Sequence, residues 1–283
     1  MSVWILRFAA GLYLVAAAAY VFYFARPRHQ RAARIGFGIV TAAFLVHAVS
    51  IGFACSEFQG AEFFTLRGGL VMIAWLAAGG FLLLQRFYKL PAVGAFITPL
   101  LLMAIVPALF AQPGQSSGIV PEVVRLPVLK VHVLAATGAV GAFAIAFGVA
   151  LMYLLQEREL KGKRFGALFS RLPSLTALDR LNQRLVRSGF VVYTVALISG
   201  TVTAKVAWGQ FFVWDLQQVI SIGIWLLFAA MVHLRHSGIH GRKYAVLTVV
   251  GFALVLGTMI GVRQAPGLTR HEGSYAAEHG SSS

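Results

Sequence analysis

Residues 129–156 read LKVHVLAATGAVGAFAIAFGVALMYLLQ, and stretches of this kind decide the class of fold. The stretch exceeds the ~20 apolar residues that an α-helix needs to cross the hydrocarbon core of a bilayer. Seven further stretches share this character, namely 3–25, 35–56, 68–85, 91–110, 188–206, 217–235 and 243–262. The sequence therefore predicts an all-α polytopic membrane bundle of about eight transmembrane helices, which forms one domain over residues 1–283.

The overall composition agrees with this prediction. Hydrophobic residues make up 59% of the chain, charged residues only 12%, and the mean hydropathy is +0.79. A soluble domain carries about a quarter charged residues, roughly twice this share. The composition therefore excludes a soluble globular domain.

The basic residues are distributed unevenly along the chain. The formal net charge is +15, and 17 of the 24 Lys and Arg lie in the connections 26–34, 86–90, 157–187 and 235–243. Six of the nine acidic residues lie in the alternate connections or the tail. The positive-inside rule then places the basic connections in the cytoplasm and both termini on the extracytoplasmic side. The charge predicts anionic membrane lipid as a partner and argues against nucleic acid.

The longest basic connection, 157–187, contains an amphipathic pattern. Four leucines recur at helical spacing from Leu175 to Leu185, directly after Ser174, and arginines lie between them. The pattern predicts a helix that lies on the inner surface of the membrane. A docking helix for a protein partner is the alternative.

The sequence contains few groups that could carry out catalysis. Cys55 is the only cysteine, which excludes an internal disulfide and the C-x-x-C-H signature of covalent haem attachment. There is no general acid/base pair, activated nucleophile, phosphate-binding Gly-rich loop or zinc cluster in the sequence. We therefore do not expect the chain to be an enzyme by itself.

A polar-aromatic run, WGQFFVWD at 208–215, lies between the sixth and seventh apolar stretches. Irregular backbone does not face lipid, so this run must lie at a surface or line a cavity. His132 and His271 fall on the same outer face by the predicted topology. Neutral imidazoles are good axial ligands to haem iron, and aromatic rings pack against porphyrin faces. The pattern favours a haem site, while each histidine alone also fits a structural role, at the interface for His132 and in a solvated tail for His271.

Two further histidines, His47 and His233, lie within the second and seventh apolar stretches. An ionisable ring inside a bilayer is a candidate for function and usually faces the bundle interior. By helical rise, His47 lies roughly 18 Å from the cytoplasmic end of its helix and His233 about 3 Å from its own. This difference in depth argues against one iron shared by both. A hydrogen bond to a backbone carbonyl for His47 and a position at the interface for His233 are the structural alternatives.

The second half of the chain resembles the cytochrome c assembly family of membrane haem-handling proteins, whose members include CcsA, CcmC and HemX-like proteins. The resemblance rests on residues 129–160, on the Trp-rich loop, on the tract from Ile224 to Arg235 and on residues 241–275. It covers about residues 125–275. The first four stretches, 1–110, agree with the family in hydropathy alone.

The resemblance implies a set of haem-binding residues. The family's Trp-rich segment binds non-covalent, b-type haem at the outer surface and falls here on 208–218. Its matching residues are Trp208, Gly209, Phe212, Trp214 and Asp215. The resemblance also makes His132 and His271 the axial ligands to haem iron, and it makes His233 and His47 the transmembrane histidines. Phe212, Leu216 and Gln218 depart from the family pattern, where Trp, Pro and Glu are usual, and this points to a weaker or altered site.

Three functions are compatible with these features. The first is a haem-handling protein of the bacterial inner membrane that presents haem for attachment to apocytochrome c, together with a separate CcsB-like subunit. The second is a HemX-like regulator of haem biosynthesis, which the departures in the Trp-rich segment favour. The third is a b-type electron-transfer subunit using His47 and His233, against which the difference in depth argues.

Overall fold

The computed structural model describes residues 1–26, 29–58, 61–111, 126–163, 172–212, 216–235 and 237–261. Within these ranges the chain forms eight α-helices: α1 Ser2–Ala25, α2 Gln30–Glu57, α3 Leu66–Tyr88, α4 Gly94–Phe110, α5 Pro127–Lys161, α6 Leu175–Trp208, α7 Leu216–Leu234 and α8 Arg242–Gly261. Short 3₁₀ helices, Ala61–Phe64 and Pro91–Val93, lead into α3 and α4. Seven helical segments in the described part are long and apolar enough to cross a membrane. The prediction of an all-α polytopic bundle is therefore confirmed.

The helices pack as two groups that share α5. The first core joins α1 to α4 with one side of α5 and with the beginnings of α6 and α8, and it includes Tyr13, Tyr20 and Phe81. The second joins the other side of α5 to α6, α7 and α8, and its centre is the stacked pair Phe143 and Phe228, with ring centroids 3.9 Å apart. Because both cores use α5, this helix holds the two groups together.

Small residues let α3 approach α5 closely. A Cβ added at Gly141 would lie 3.2 Å from the backbone nitrogen of Ala77 on α3. Lipid tails are as apolar as the helix surfaces, so the hydrophobic effect does not drive helices together inside a bilayer. Close packing of this kind drives their association instead. The sequence contains the glycine pair Gly138-x-x-Gly141. Its second glycine, Gly141, is thus a point of close contact between α5 and α3.

The sixth span is longer than the sequence predicted. α5 has 35 residues and α6 has 34, which gives lengths of about 52 and 51 Å. Both exceed the ~30 Å hydrocarbon core, so the pair extends beyond it. The expected surface helix after Ser174 is the first part of α6, which Ser174 caps by accepting a hydrogen bond from the Ala177 N–H at 3.3 Å.

The prediction of a separate surface helix was therefore wrong, for a physical reason. Leu178 and Leu181 are buried, and they share a core cluster with Met152 and Tyr153 of α5. The apolar face of the pattern is covered by protein and not by lipid. Arg180 on the same turns is exposed, so the amphipathic pattern itself is present.

A charged cluster joins α6, α7 and α8 at the end where the basic connections lie. The Arg235 guanidinium donates to both carboxylate oxygens of Asp179, at 2.9 and 2.6 Å. The backbone N–H of Gly241 donates to the same carboxylate at 3.0 Å. Arg235 also lies over the ring of Tyr244, 5.3 Å from its centroid. We call Asp179, Arg235 and Gly241 the Asp179 clamp.

Backbone conformation restricts one position of the Asp179 clamp to glycine. Gly241 has a φ of +63°, in the left-handed region that side chains rarely adopt. A Cβ at this position would also lie 2.7 Å from the Tyr153 hydroxyl of α5. The clamp thus lies directly against α5, and all four helices of the second group meet there.

We predict that Asp179→Asn destabilises the protein by roughly 3 kcal/mol, because it leaves the largely buried Arg235 without its bidentate partner. Thermal unfolding of the detergent-solubilised protein should show a lower Tm. Glu159→Gln, which removes a carboxylate near the C-terminal end of α5, serves as the control and should change Tm little. Equal Tm values for the two variants would contradict the role of the clamp.

Candidate functional site

The ends of α3, α5, α6, α7 and α8 that lie opposite the Asp179 clamp surround a cavity of about 670 Å³. We call it the main lobe. Its wall is mainly apolar and includes Leu66, Ile73, Val140, Leu197, Ile224 and Val255. A few polar side chains interrupt this wall, among them His132, Thr137, Tyr193 and Ser221. An apolar cavity with a few placed polar groups is the usual form of a small-molecule site.

A smaller cavity of about 190 Å³ lies beside the main lobe. We call it the side lobe. Gly200, Ala204, Phe212 and Gln218 line it, so it reaches the beginning of the Trp-rich segment. His132 lines both lobes. The imidazole therefore lies where the two cavities adjoin.

His132 is held by one short hydrogen bond to the neighbouring helix. Its Nδ1 lies 2.7 Å from the backbone carbonyl oxygen of Ala196 on α6. A carbonyl can only accept, so Nδ1 carries the hydrogen, and in the neutral imidazole Nε2 then bears the lone pair. Histidines that bind metals are oriented in this way, through a hydrogen bond from the other ring nitrogen. The geometry thus leaves Nε2 of His132 available to coordinate an iron or to accept a hydrogen bond.

The imidazole fits only because α6 carries a glycine opposite it. A Cβ added at Gly200 would lie 2.8 Å from Cε1 and 2.9 Å from Nδ1 of His132. Both distances are shorter than van der Waals contact, so any side chain at 200 would displace the ring. Gly200 is a residue of the site that the sequence analysis did not identify.

Two further hydrogen bonds connect α6 to α7 beside the main lobe. The Tyr193 hydroxyl donates to the Ser221 carbonyl oxygen at 3.2 Å, and the Trp225 indole N–H donates to the Thr194 hydroxyl at 2.9 Å. Tyr193 and Ser221 both line the main lobe. These bonds fix the spacing of the two helices along the cavity.

The structure describes part of the Trp-rich segment. α6 ends at Gly209, whose φ of +74° is left-handed, and the Lys205 ammonium donates to the Gly209 carbonyl oxygen at 2.6 Å. Lys205 also lies 5.4 Å from the ring centroid of Phe211. Phe212 lines the side lobe. The start of the segment is therefore placed against the cavity that His132 borders.

Several residues implied by the resemblance lie outside the described part of the chain. These are Trp214, Asp215 and His271, and the side chain of Trp208 is also not described. The pairing of His132 with His271 consequently stays a prediction. Of the five matching residues, Gly209 and Phe212 are described in full, and Phe212 lines the side lobe together with His132.

The structure does not bring His47 and His233 together. His47 is fully buried, and its Nδ1 lies 3.5 Å from the Tyr13 hydroxyl of α1. His233 is exposed near the end of α7. α2 packs against α1 and α3, whereas α7 packs against α6 and α8. Neither histidine lines the main lobe or the side lobe.

The first four spans contribute more residues to the candidate site than the sequence indicated. Phe63, Leu66 and Ile73, from the 3₁₀ turn and α3, form part of the wall of the main lobe. Beside them, Arg67 and Glu62 form an ion pair with only 3% and 4% of their side chains exposed. The sequence carries one signal of this pair, a Glu and an Arg five residues apart at the edge of an apolar stretch.

Comparison with known proteins identifies the family. The family model described as "Cytochrome C assembly protein" matches residues 63–268. The chain belongs to this cytochrome c assembly family. The match begins at Phe63, well before the segment on which the resemblance was based, and so includes α3 and α4. Membership places the protein in cytochrome c assembly.

Individual relatives agree with the family assignment. A protein named "Cytochrome c biogenesis protein CcsA" from Parasynechococcus marenigrum (strain WH8102) is 32% identical over 221 residues, which cover 70% of this chain and 72% of the relative. A protein of the same name from Prochlorococcus marinus (strain NATL2A) is 31% identical over 225 residues, covering 70% and 71%. The resemblance found in the sequence is thus confirmed.

We predict opposite effects for alanine at two glycines of the second group. Gly200→Ala should destabilise the protein by about 1–3 kcal/mol, because the methyl group overlaps the His132 ring. Gly223→Ala in α7 has no atom within 4 Å of the added Cβ. It should stabilise by about 0.5–1 kcal/mol through helix propensity. Thermal unfolding in detergent measures both changes, and a stabilising Gly200→Ala would contradict the tight packing against His132.

Proposed function

We propose that the protein binds haem at the extracytoplasmic face of the bacterial inner membrane and presents it for attachment to apocytochrome c. The observation that carries this proposal is the orientation of His132. Its Nδ1–H bond to the Ala196 carbonyl leaves the Nε2 lone pair for a ligand, and the ring borders two cavities. Family membership supplies the biological context.

The residues of the cavity fit a non-covalent, b-type haem. The volume of the main lobe, about 670 Å³, falls within the ~300–1,000 Å³ usual for small-molecule and cofactor sites. Its apolar wall suits the porphyrin body, and aromatic side chains can pack on the macrocycle. In this proposal His132 and His271 would hold the iron.

In this proposal the protein holds its cargo and performs no covalent step. Bound haem supplies an iron that imidazole coordinates and the vinyl groups to which thiols add. Cys55 is exposed on α2 and lines neither lobe, so the thiols must come from the apocytochrome. The chain fixes the orientation of haem through His132 and excludes water from the porphyrin through the apolar wall. A separate CcsB-like subunit is the proposed partner for bringing the apocytochrome to this face.

The departures in the Trp-rich segment are compatible with this role. Phe212 lines the side lobe next to residues of α6 and α7, so the aromatic face that haem packing needs is kept. The family usually has tryptophan at this position. Phenylalanine lacks the indole N–H, so the segment has one hydrogen-bond donor fewer. We therefore propose that haem binds here with fewer polar contacts from the segment.

A HemX-like regulator of haem biosynthesis is the second candidate. The loss of the acidic residue at Gln218 and of the indole at Phe212 favours a protein that senses haem without delivering it. The b-type electron-transfer alternative receives no support, because His47 and His233 lie on helices that are not neighbours. We therefore retain two functions, and they differ in their effect on cytochromes.

We predict that the protein purified from haem-replete cells shows a Soret absorption band, and that combining His132→Ala with His271→Ala abolishes the band. The reason is the loss of both proposed iron ligands. His29→Ala, which changes an exposed histidine in the first basic connection, is the control and should leave the spectrum unchanged. A wild-type protein without a Soret band would argue strongly against haem binding.

We also predict that deleting the gene removes the covalently haem-stained c-type cytochromes from the membrane fraction. Wild-type protein should restore them, and the His132→Ala variant should not, because haem presentation requires the imidazole. Haem staining of denaturing gels measures the outcome. Normal cytochromes combined with an altered level of haem synthesis would instead support the regulator.

A further inference from the structure

The connection between α2 and α3 contains a buried ion pair that the proposed function has not used. Arg67 Nη1 lies 2.9 Å from Glu62 Oε1, and both side chains are almost completely buried. The contact is an ion pair without well-aligned hydrogen-bond geometry at Nη1. Buried ion pairs contribute little net stability, since desolvation offsets their attraction. Their value in a fold is more often that they specify one arrangement of the surrounding chain.

Arg67 also reaches a third element. Its Nε donates to the carbonyl oxygen of Ala108 at 3.1 Å. This carbonyl belongs to the last turn of α4, where the helix itself supplies no N–H partner. Arg67 thereby joins the turn Ala61–Phe64, the start of α3 and the end of α4.

The turn is also fixed through its backbone. Thr65 donates its hydroxyl to the Glu62 carbonyl oxygen at 2.7 Å and accepts from the Gly68 N–H at 3.1 Å. A Cβ at Gly68 would lie 2.0 Å from the Glu62 carbonyl oxygen. The turn therefore lies directly on the first turn of α3, and only glycine permits this contact.

Phe63 is the residue that this fixed turn presents to the cavity. It lines the main lobe together with Thr65, Leu66 and His132. On its other side it borders a small cavity of about 10 Å³, which Glu62 and Arg67 also line. Phe63 thus lines both cavities, whereas Glu62 and Arg67 line only the smaller one.

We propose that Phe63 is an aromatic wall for the porphyrin in the main lobe, and that Glu62 and Arg67 are positioning residues that hold it there. The proposal rests on the proposed function, because it takes haem as the ligand. It extends the site from the second half of the chain to the turn before α3. Haem would then lie between a wall from the turn before α3 and a ligand from α5.

Haemin titration of the apo-protein in detergent, followed at the Soret band, tests the wall. Phe63→Ala should bind haemin roughly three- to tenfold more weakly, the range expected for one lost aromatic contact. Phe63→Tyr should retain wild-type affinity, because it keeps the ring. Phe110→Ala is the matched control, since Phe110 lies at the outer end of α4, is 84% exposed and does not line the lobe. Wild-type affinity for Phe63→Ala would overturn the proposal.

Thiol labelling provides a second measurement that does not depend on affinity. In a Cys55→Ser background, Phe63→Cys should react with a maleimide more slowly once haemin is bound, whereas Phe110→Cys should react at an unchanged rate. Adding Glu62→Gln should accelerate labelling at 63 in the absence of haemin, because the turn loses its ion pair. An unchanged rate at 63 in this variant would remove the positioning role.

These measurements separate the two proposals. If the wild-type protein forms no Soret band with haemin, both the haem function and the porphyrin wall are wrong. If the wild-type protein binds haemin but labelling at 63 is not slowed, haem binding stands and the wall is wrong. Unfolding curves for each variant show whether a lost signal reflects misfolding.

Discussion

A bilayer offers no water to unpaired backbone groups, and each helix of this protein must therefore satisfy its own N–H and C=O groups. Once this requirement is met, the specificity of helix packing rests on close contacts of small residues and on a few side-chain hydrogen bonds. α5 carries both kinds. Gly141 brings it against α3, and His132 bonds to the Ala196 carbonyl on α6. The position of the central helix thus also sets the geometry of the cavity.

The two ends of the second group are joined in different ways. At the end with the basic connections, the Asp179 clamp uses a bidentate ion pair and a backbone N–H to join three helices. At the opposite end, single hydrogen bonds from His132 and Tyr193 leave a cavity between the helices. The helices are thus held tightly at one end and enclose a cavity of about 670 Å³ at the other.

Much of this architecture could be predicted from the sequence, because hydropathy over ~20 residues reports a spanning helix directly. The extent of α6 could not be predicted, since a row of leucines looks the same whether lipid or α5 covers it. The sequence identified His132 as a candidate, but its ring orientation depends on Ala196 and Gly200, 64 and more residues away. Phe63 could not be recognised, because a phenylalanine near a membrane surface has many possible neighbours.

Residues of α3 and of the turn before it line the main lobe. Their contribution affects how many substitutions the Trp-rich segment can tolerate. If haem contacts came from 208–218 alone, replacing an indole by Phe212 and a carboxylate by Gln218 would remove much of the site. The main lobe, however, is formed by five helices, and its ligand candidate lies on α5. In the proposed site, binding energy spread over Phe63, His132 and the apolar wall would depend less on any one loop residue. On this proposal, the chain can lose polar contacts in the segment and still retain its cavity for haem.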